Sequence, residues 1–233
     1  STEHDIWLLD SRTLDSLAVL SVADPDAPFQ EVDHMALSPD GRTLLTNNPG
    51  ETDSVLRWRL SSGQPDRLAA PSPVRDPVYS PDGRHLLVRI GGDGAALSDT
   101  GRIDWRVLQP ADSSITFGYH FSPNSRWVAA TADTTVYVWE VATGRLHHTF
   151  RVPDGSLRGA PSFSRAGDVL YAVASSRTER WRLDTGTRLR PLDGGGAPQA
   201  LPDGRHLFFA NSVVDATTGR VVQRLESRAY AGN

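Results

Sequence analysis

The stretch that decides the fold is Ser80-Pro81-Asp82-Gly83-Arg84. It returns as Ser38-Pro39-Asp40-Gly41-Arg42, Ser122-Pro123-Asn124-Ser125-Arg126 and Ser164-Arg165-Ala166-Gly167-Asp168, each copy 42 residues from the last. A fifth copy, Leu201-Pro202-Asp203-Gly204-Arg205, follows after 37. Proline presets φ at the first central position, Asp or Asn suits the next, and glycine accepts positive φ, so each copy reads as a tight turn between antiparallel strands. Ser125 stands where the other copies have glycine, which makes a positive φ there costlier.

Working outward, an apolar stretch precedes each turn (Met35-Ala36-Leu37; Pro77-Val78-Tyr79) and another follows it (Leu44-Leu45; Leu86-Leu87-Val88). An alternating strand comes next, as in Val136-Tyr137-Val138-Trp139-Glu140-Val141, then a second turn at Thr143-Gly144 and a last strand, Leu146-His147-His148-Thr149-Phe150. Each unit therefore carries four short strands, cannot bury both faces alone, and must stack on its neighbours. Four-stranded units of about 40–45 residues predict an all-β propeller of antiparallel blades. We place complete repeats at about 32–70, 74–108, 116–150, 158–192 and 197–225, with an N-terminal partial blade at 6–20, in a single domain over 1–233.

Asp133-Thr134-Thr135-Val136-Tyr137-Val138-Trp139, downstream of a Ser-Pro-Asn turn, resembles the WD-repeat family, and the resemblance covers roughly residues 6–225. It implies propeller blades and a role in protein recognition. The family's glycine–histidine pair would fall near Pro28, Ala70, Asp112 and Asp154, where no histidine stands. The chain therefore looks like a divergent, bacterial-type member, similar to sensor propellers.

The 233 residues carry a formal charge of −4, without the basic excess of a nucleic-acid binder. There is no cysteine, which excludes disulfides and thiol catalysis. All 24 basic residues are arginine, scattered along the chain. No apolar run is long enough to span a bilayer. A cytoplasmic location is expected, with an extracytoplasmic domain of a tethered protein as the alternative.

Trp58, Trp139 and Trp181 occupy third strands and should pack between blades, with Trp7 at the matching place in the opening hairpin. Trp105 and Trp127 lie off that register and are the candidates for exposure. Asp40, Asp82 and Asp203 read as turn formers, not calcium ligands. His147 and His148 should point to opposite faces of their strand.

Strand alternation turns Leu37, Tyr79, Phe121, Phe163 and Ala200 toward the core. It turns Ala36, Val78, His120, Ser162 and Gln199, and farther along His34, Asp76, Gly118, Ala160 and Ala197, toward a central channel. His34, Asp76, His120, Ser162 and Gln199 are the candidate channel ligands. Arg75, Trp105 and Arg158, with the long loop from Asn47 to Ser54, are candidate rim contacts for a protein or peptide partner. No nucleophile elbow, metal-binding helix or phosphate loop occurs, and the glycine run Gly194-Gly195-Gly196 lacks the lysine of one. We expect no catalytic residue, metal or cofactor, and a non-catalytic interaction, sensor or scaffold module within a larger protein. The rival readings are a hydrolase or lyase at the channel mouth and a structural spacer.

Overall fold

The computed structural model describes residues 5–21, 32, 34–47, 53–71, 73–91, 94–108, 110, 115, 117–175 except 153–155, 177–193, 197–203, 205–209 and 211–225. Pro28, Asp112, Asp154, residues 48–52 of the long loop, Gly194–Gly196 and Gly204 lie outside them. Every regular element among the described residues is a strand.

A two-stranded hairpin comes first, β1 (Asp5–Leu9) and β2 (Ser16–Ser21). The first full blade is β3 (Met35–Leu37), β4 (Thr43–Asn47), β5 (Ser54–Arg59) and β6 (Gln64–Ala69). The second is β7 (Val74–Tyr79), β8 (His85–Ile90), β9 (Gly94–Asp99) and β10 (Arg106–Leu108). The third is β11 (Phe117–Phe121), β12 (Trp127–Ala132), β13 (Thr135–Glu140) and β14 (Leu146–Arg151). The fourth is β15 (Ser162–Phe163), β16 (Val169–Ala174), β17 (Arg177–Arg182) and β18 (Arg188–Asp193). The fifth is β19 (Gln199–Ala200), β20 (His206–Phe209), β21 (Ser212–Asp215) and β22 (Val221–Arg224). Within each blade the strands pair antiparallel in chain order. The fold class is therefore all-β, of propeller blades, five complete and one partial. Contacts group the chain into two compact units, 1–109 and 110–233, each described by itself below.

The turns set the register. Ser38 Oγ donates to Asp40 (2.6 Å) and accepts the Thr43 amide (2.9 Å). Ser80 does the same with Asp82 and the His85 amide, and Ser122 with Asn124 and the Trp127 amide. In the fourth blade Ser164 reaches Asp168 instead, because Ala166 offers no acceptor. The third turn residue is left-handed in each: Gly41, Gly83 and Gly167 have φ near +70°, and Ser125 adopts +58°.

In each unit the core lies between neighbouring blades. In the first, Leu45, Val55 and Leu68 pack against Val74, Tyr79, Leu86 and Val88. In the second, Val136, Val138 and Phe150 pack against Leu170, Ala172 and Trp181, with the Phe150 and Trp181 rings stacked at 4.9 Å.

Several local expectations are corrected. Trp127 is 2% exposed. The His147 ring meets it edge-on at 4.8 Å, and the Arg126 guanidinium lies 4.6 Å over its face. His147 and His148 do not diverge. A bulge opposite Val138 and Trp139 makes His147 the extra residue, so both rings turn to Trp127. Trp7 is 57% exposed. Leu9 pairs across its turn with Ser16 as Trp139 does with Leu146, so Trp7 aligns with Tyr137, two residues off the tryptophan register. Its face is the one a blade turns toward its predecessor, and no described strand covers it. Leu37 is exposed for the same reason, since the partial blade before it offers only β1 and β2. Of the other residues expected in the core, Tyr79 is buried, Phe121 and Phe163 are half-buried, and Ala200 is exposed.

Trp127→Ala and Trp139→Ala should each cost about 3–5 kcal/mol by denaturant unfolding. Trp7→Ala should stay within about 0.5 kcal/mol. Equal losses for Trp7 and Trp127 would contradict this packing.

A Cβ at Gly167 would lie 2.5 Å from Asn124 Cγ, whereas one at Gly83 would meet only Pro39 at 3.5 Å. The Asn124 amide is pinned by Ser122, Arg126 and the Ala166 carbonyl. Gly83→Ala should cost about 1–2 kcal/mol for the left-handed backbone alone. Gly167→Ala should cost about 1 kcal/mol more, because it also displaces a hydrogen-bonded side chain.

Candidate functional site

In the first unit, His34 and Asp76 are brought together. His34 Nε2 lies 2.8 Å from Asp76 Oδ1, and Arg89 holds the other carboxylate oxygen at 3.2 Å. Asp76 sits in a one-residue bulge of β7, between the pairs Arg75↔Arg89 and Val78↔Leu87, with φ at +47°. That left-handed kink re-aims the carboxylate along the sheet edge toward His34. A carboxylate on one imidazole nitrogen fixes the tautomer, as a general base requires. Arg89 competes for the same carboxylate, and among the described residues no hydroxyl hydrogen-bonds to His34.

His120, Ser162 and Gln199 belong to the second unit. His120 follows a similar bulge in β11. The residue is exposed, yet desolvation by the surrounding strands pushes its pKa below the ordinary 6.5. Ser162 is half-buried and Gln199 exposed. Among the described residues no group of three His, Asp or Glu side chains could hold a metal ion.

The rim candidates separate. Arg75 and Arg158 are exposed, in different units. Trp105 is half-buried, its indole N–H donates to the Ala69 carbonyl at 2.7 Å, and its ring packs on the core between the first two full blades. It links blades within the first unit, a role its place off the tryptophan register concealed.

Two features escaped the sequence reading. The first is a cleft of ≈ 780 Å³ in the first unit, between the first two full blades. Arg42, Arg57, Arg59, Thr43, Tyr79 and Asp82 line it. Asp66 ties down Arg57 and Arg59 at 3.4 and 2.7 Å, and the hydroxyls of Thr43 and Tyr79 meet at 2.8 Å. Arg42 makes no ion pair among the described residues. The cleft wall mixes these polar groups with apolar surface in about equal measure. The second is the hairpin. Ile6 and Leu20 face inward onto Leu44 and Trp58, while Trp7, Leu9 and Val19, with Leu17 at the bulge, form an exposed apolar face. On the next blade Met35 and Leu37 are each 55% exposed. Among the described residues β1 and β2 pair only with each other.

The blades and turns define an all-β chain of propeller-type blades, and one stretch of it is similar to a WD repeat. The sequence model described as "WD domain, G-beta repeat" matches residues 111–140. No curated protein matches the sequence. Among solved structures, Kuenenia stuttgartiensis Hydrazine Synthase is similar at 20% identity and a TM-score of 0.59, over 91% of this chain and 70% of that one. As many as 1479 solved chains match, so the likeness speaks for fold and leaves activity open. No helix among the described residues is long and apolar enough to cross a membrane.

In the fifth turn, which lacks the serine, Asp203 takes over. The His206 ring lies 2.7 Å from its carboxylate and the Arg205 and His206 amides donate to it. The His206 side chain first, then those amides, holds the Asp203 carboxyl down at about 2. A depressed carboxyl stabilises the fold fully above the ordinary value near 3.8, and that contribution is lost as pH falls toward about 2. In His206→Ala the Asp203 carboxyl should titrate closer to 3.8 by carbon-detected NMR. An unmoved midpoint would assign the shift to the backbone amides alone.

Proposed function

We propose that this propeller is a non-catalytic docking module that holds an extended segment of a partner protein against its unfinished first blade. The carrying observation is the exposed apolar face of Trp7, Leu9 and Val19 on strands with no further pairing among the described residues, with Met35 and Leu37 exposed as well on the next blade. In every full blade the third strand pairs with a second strand, so the β1 edge offers backbone donors and acceptors where such a strand would lie. A partner segment with alternating apolar residues supplies that strand, the main chain giving affinity and the apolar face selecting side chains. Contiguous exposed apolar surface of this kind marks interaction sites. The match to a WD repeat supports the same reading, as a scaffold or sensor part of a larger protein.

The His34–Asp76 pair favours a second reading, a hydrolase or lyase in the first unit. Arg89 on the same carboxylate weighs against it, because it holds the aspartate as a structural anion.

The test is a Trp7→Glu/Val19→Glu double variant. It should melt with the parent chain, since both positions are exposed, yet lose at least tenfold in affinity for the partner that the parent binds. Photocrosslinking from position 7 should label that partner's extended segment. Undiminished binding by the double variant would end this reading and move docking to the surfaces of Arg75 or Arg158.

A further inference from the structure

In the second unit a pocket of ≈ 170 Å³ opens between the fourth and fifth blades. It exists because of one small residue. Ala200 stands just before its turn, where Tyr79 stands in the second blade. Tyr79 reaches across to the preceding blade and bonds Thr43. Ala200 leaves the corresponding space empty and lines it, with Tyr171, Arg182, Asp168, His206 and Arg165.

The lining is unbalanced in two ways. Tyr171 is 1% exposed and its hydroxyl has no hydrogen-bond partner among the described residues. A buried hydroxyl in that state is costly and marks a missing partner. Arg182 is half-buried, and no carboxylate stands within ion-pair distance of it among the described residues. Beneath it on the same face of β17, Arg180 is fully buried and donates to the carbonyls of Arg190 and Ala216, the latter on the pocket wall. It too meets no carboxylate within ion-pair distance among the described residues. The nearby acids are engaged: Asp168 accepts from Ser164 at 2.6 Å, and Asp203 holds His206 at 2.7 Å. Arg165, at the mouth, donates to the Pro202 carbonyl. Arg180 is satisfied by those carbonyls, whereas the Arg182 guanidinium and the Tyr171 phenol line the pocket without an anion among the described residues.

We infer that this pocket binds a small carboxylate, with the Arg182 guanidinium and the Tyr171 hydroxyl as its donors. The arginine fork matches the plane of a carboxylate. The space admits about five or six water volumes at roughly 30 Å³ each, enough for an acetate-sized group. The Asp168 carboxylate on the wall disfavours a doubly charged phosphate by repulsion. Burial pushes the Tyr171 phenol up to about 12, so it remains a proton donor throughout the neutral range. The pocket belongs to the second unit and the β1 edge to the first, and neither reading needs the other. Two sources supply this chemistry: a free carboxylic acid, or the acidic side chain of a docked peptide.

Calorimetric and NMR titrations of the full chain with acetate, succinate, inorganic phosphate and a capped glutamate tripeptide test it. Saturable binding of acetate, succinate or the tripeptide is expected, with the Arg182 Nε and Tyr171 ring resonances shifting together. Tyr171→Phe should keep or raise thermal stability, because it removes an unsatisfied hydroxyl, and weaken binding about tenfold, the worth of one hydrogen bond to a charged group. Arg182→Gln should weaken it at least as much. A tripeptide that binds tenfold tighter than acetate assigns the site to a partner's side chain, and the reverse assigns it to a free acid; both support the pocket. Phosphate binding tighter than every carboxylate, no saturation at tens of millimolar, or full binding in both variants would overturn it.

Discussion

One small interaction recurs where the rest depends on it: a serine hydroxyl, buried or nearly so, that donates to an acid or amide beside it and accepts the amide of the residue five ahead. It closes the turn between a blade's first two strands and thereby fixes their register. Since a one-residue slip would send every core side chain to the opposite face, this turn decides which residues meet the next blade. The fourth blade keeps the serine and changes its acceptor. The fifth loses the serine and lets Asp203 bind the backbone directly, with His206 as a brace. The motif varies in chemistry while its geometry stays.

Stacking follows from that register, and unevenness in stacking produces the functional surfaces. Where a blade has a full neighbour, aromatic residues cross the gap: Tyr79 bonds Thr43, and Trp181 stacks on Phe150. Around the partial blade, where no described strand covers them, Met35, Leu37 and Trp7 are exposed. Where a large crossing residue is replaced by a small one, as at Ala200, a pocket remains. The exposed hairpin face and the pocket between the fourth and fifth blades are thus two departures from one packing rule. Bulges add a third kind of departure, turning Asp76 to His34 and both His147 and His148 to Trp127.

The strands, the turns and the blade boundaries were legible in the sequence because they depend on local chemistry. Proline, aspartate and glycine at fixed offsets encode a turn, period-two alternation encodes a half-buried strand, and a 42-residue recurrence encodes stacking units. At Ser125 the sequence left two outcomes open, a costlier positive φ or a different turn, and the backbone there is left-handed. Trp58, Trp139 and Trp181 are buried as their shared register implied.

Only the tertiary structure decided which side chains meet. Trp127 is covered by the core between its blade and the next, and a bulge in β14, a single extra residue that leaves no mark in the alternation, adds the His147 ring. Whether Trp7 is bare depends on what lies across its face, a property of the neighbouring blade and not of the hairpin. The Tyr171 hydroxyl and Arg182 are unremarkable in sequence; that the hydroxyl has no hydrogen bond and the guanidinium no ion pair among the described residues, and that both line one pocket with Ala200, shows only in the structure. Sequence determines what each strand is, because that is set within a few residues. Contacts between blades join residues some 30 or more positions apart, so the surfaces that recognise other molecules are settled by packing.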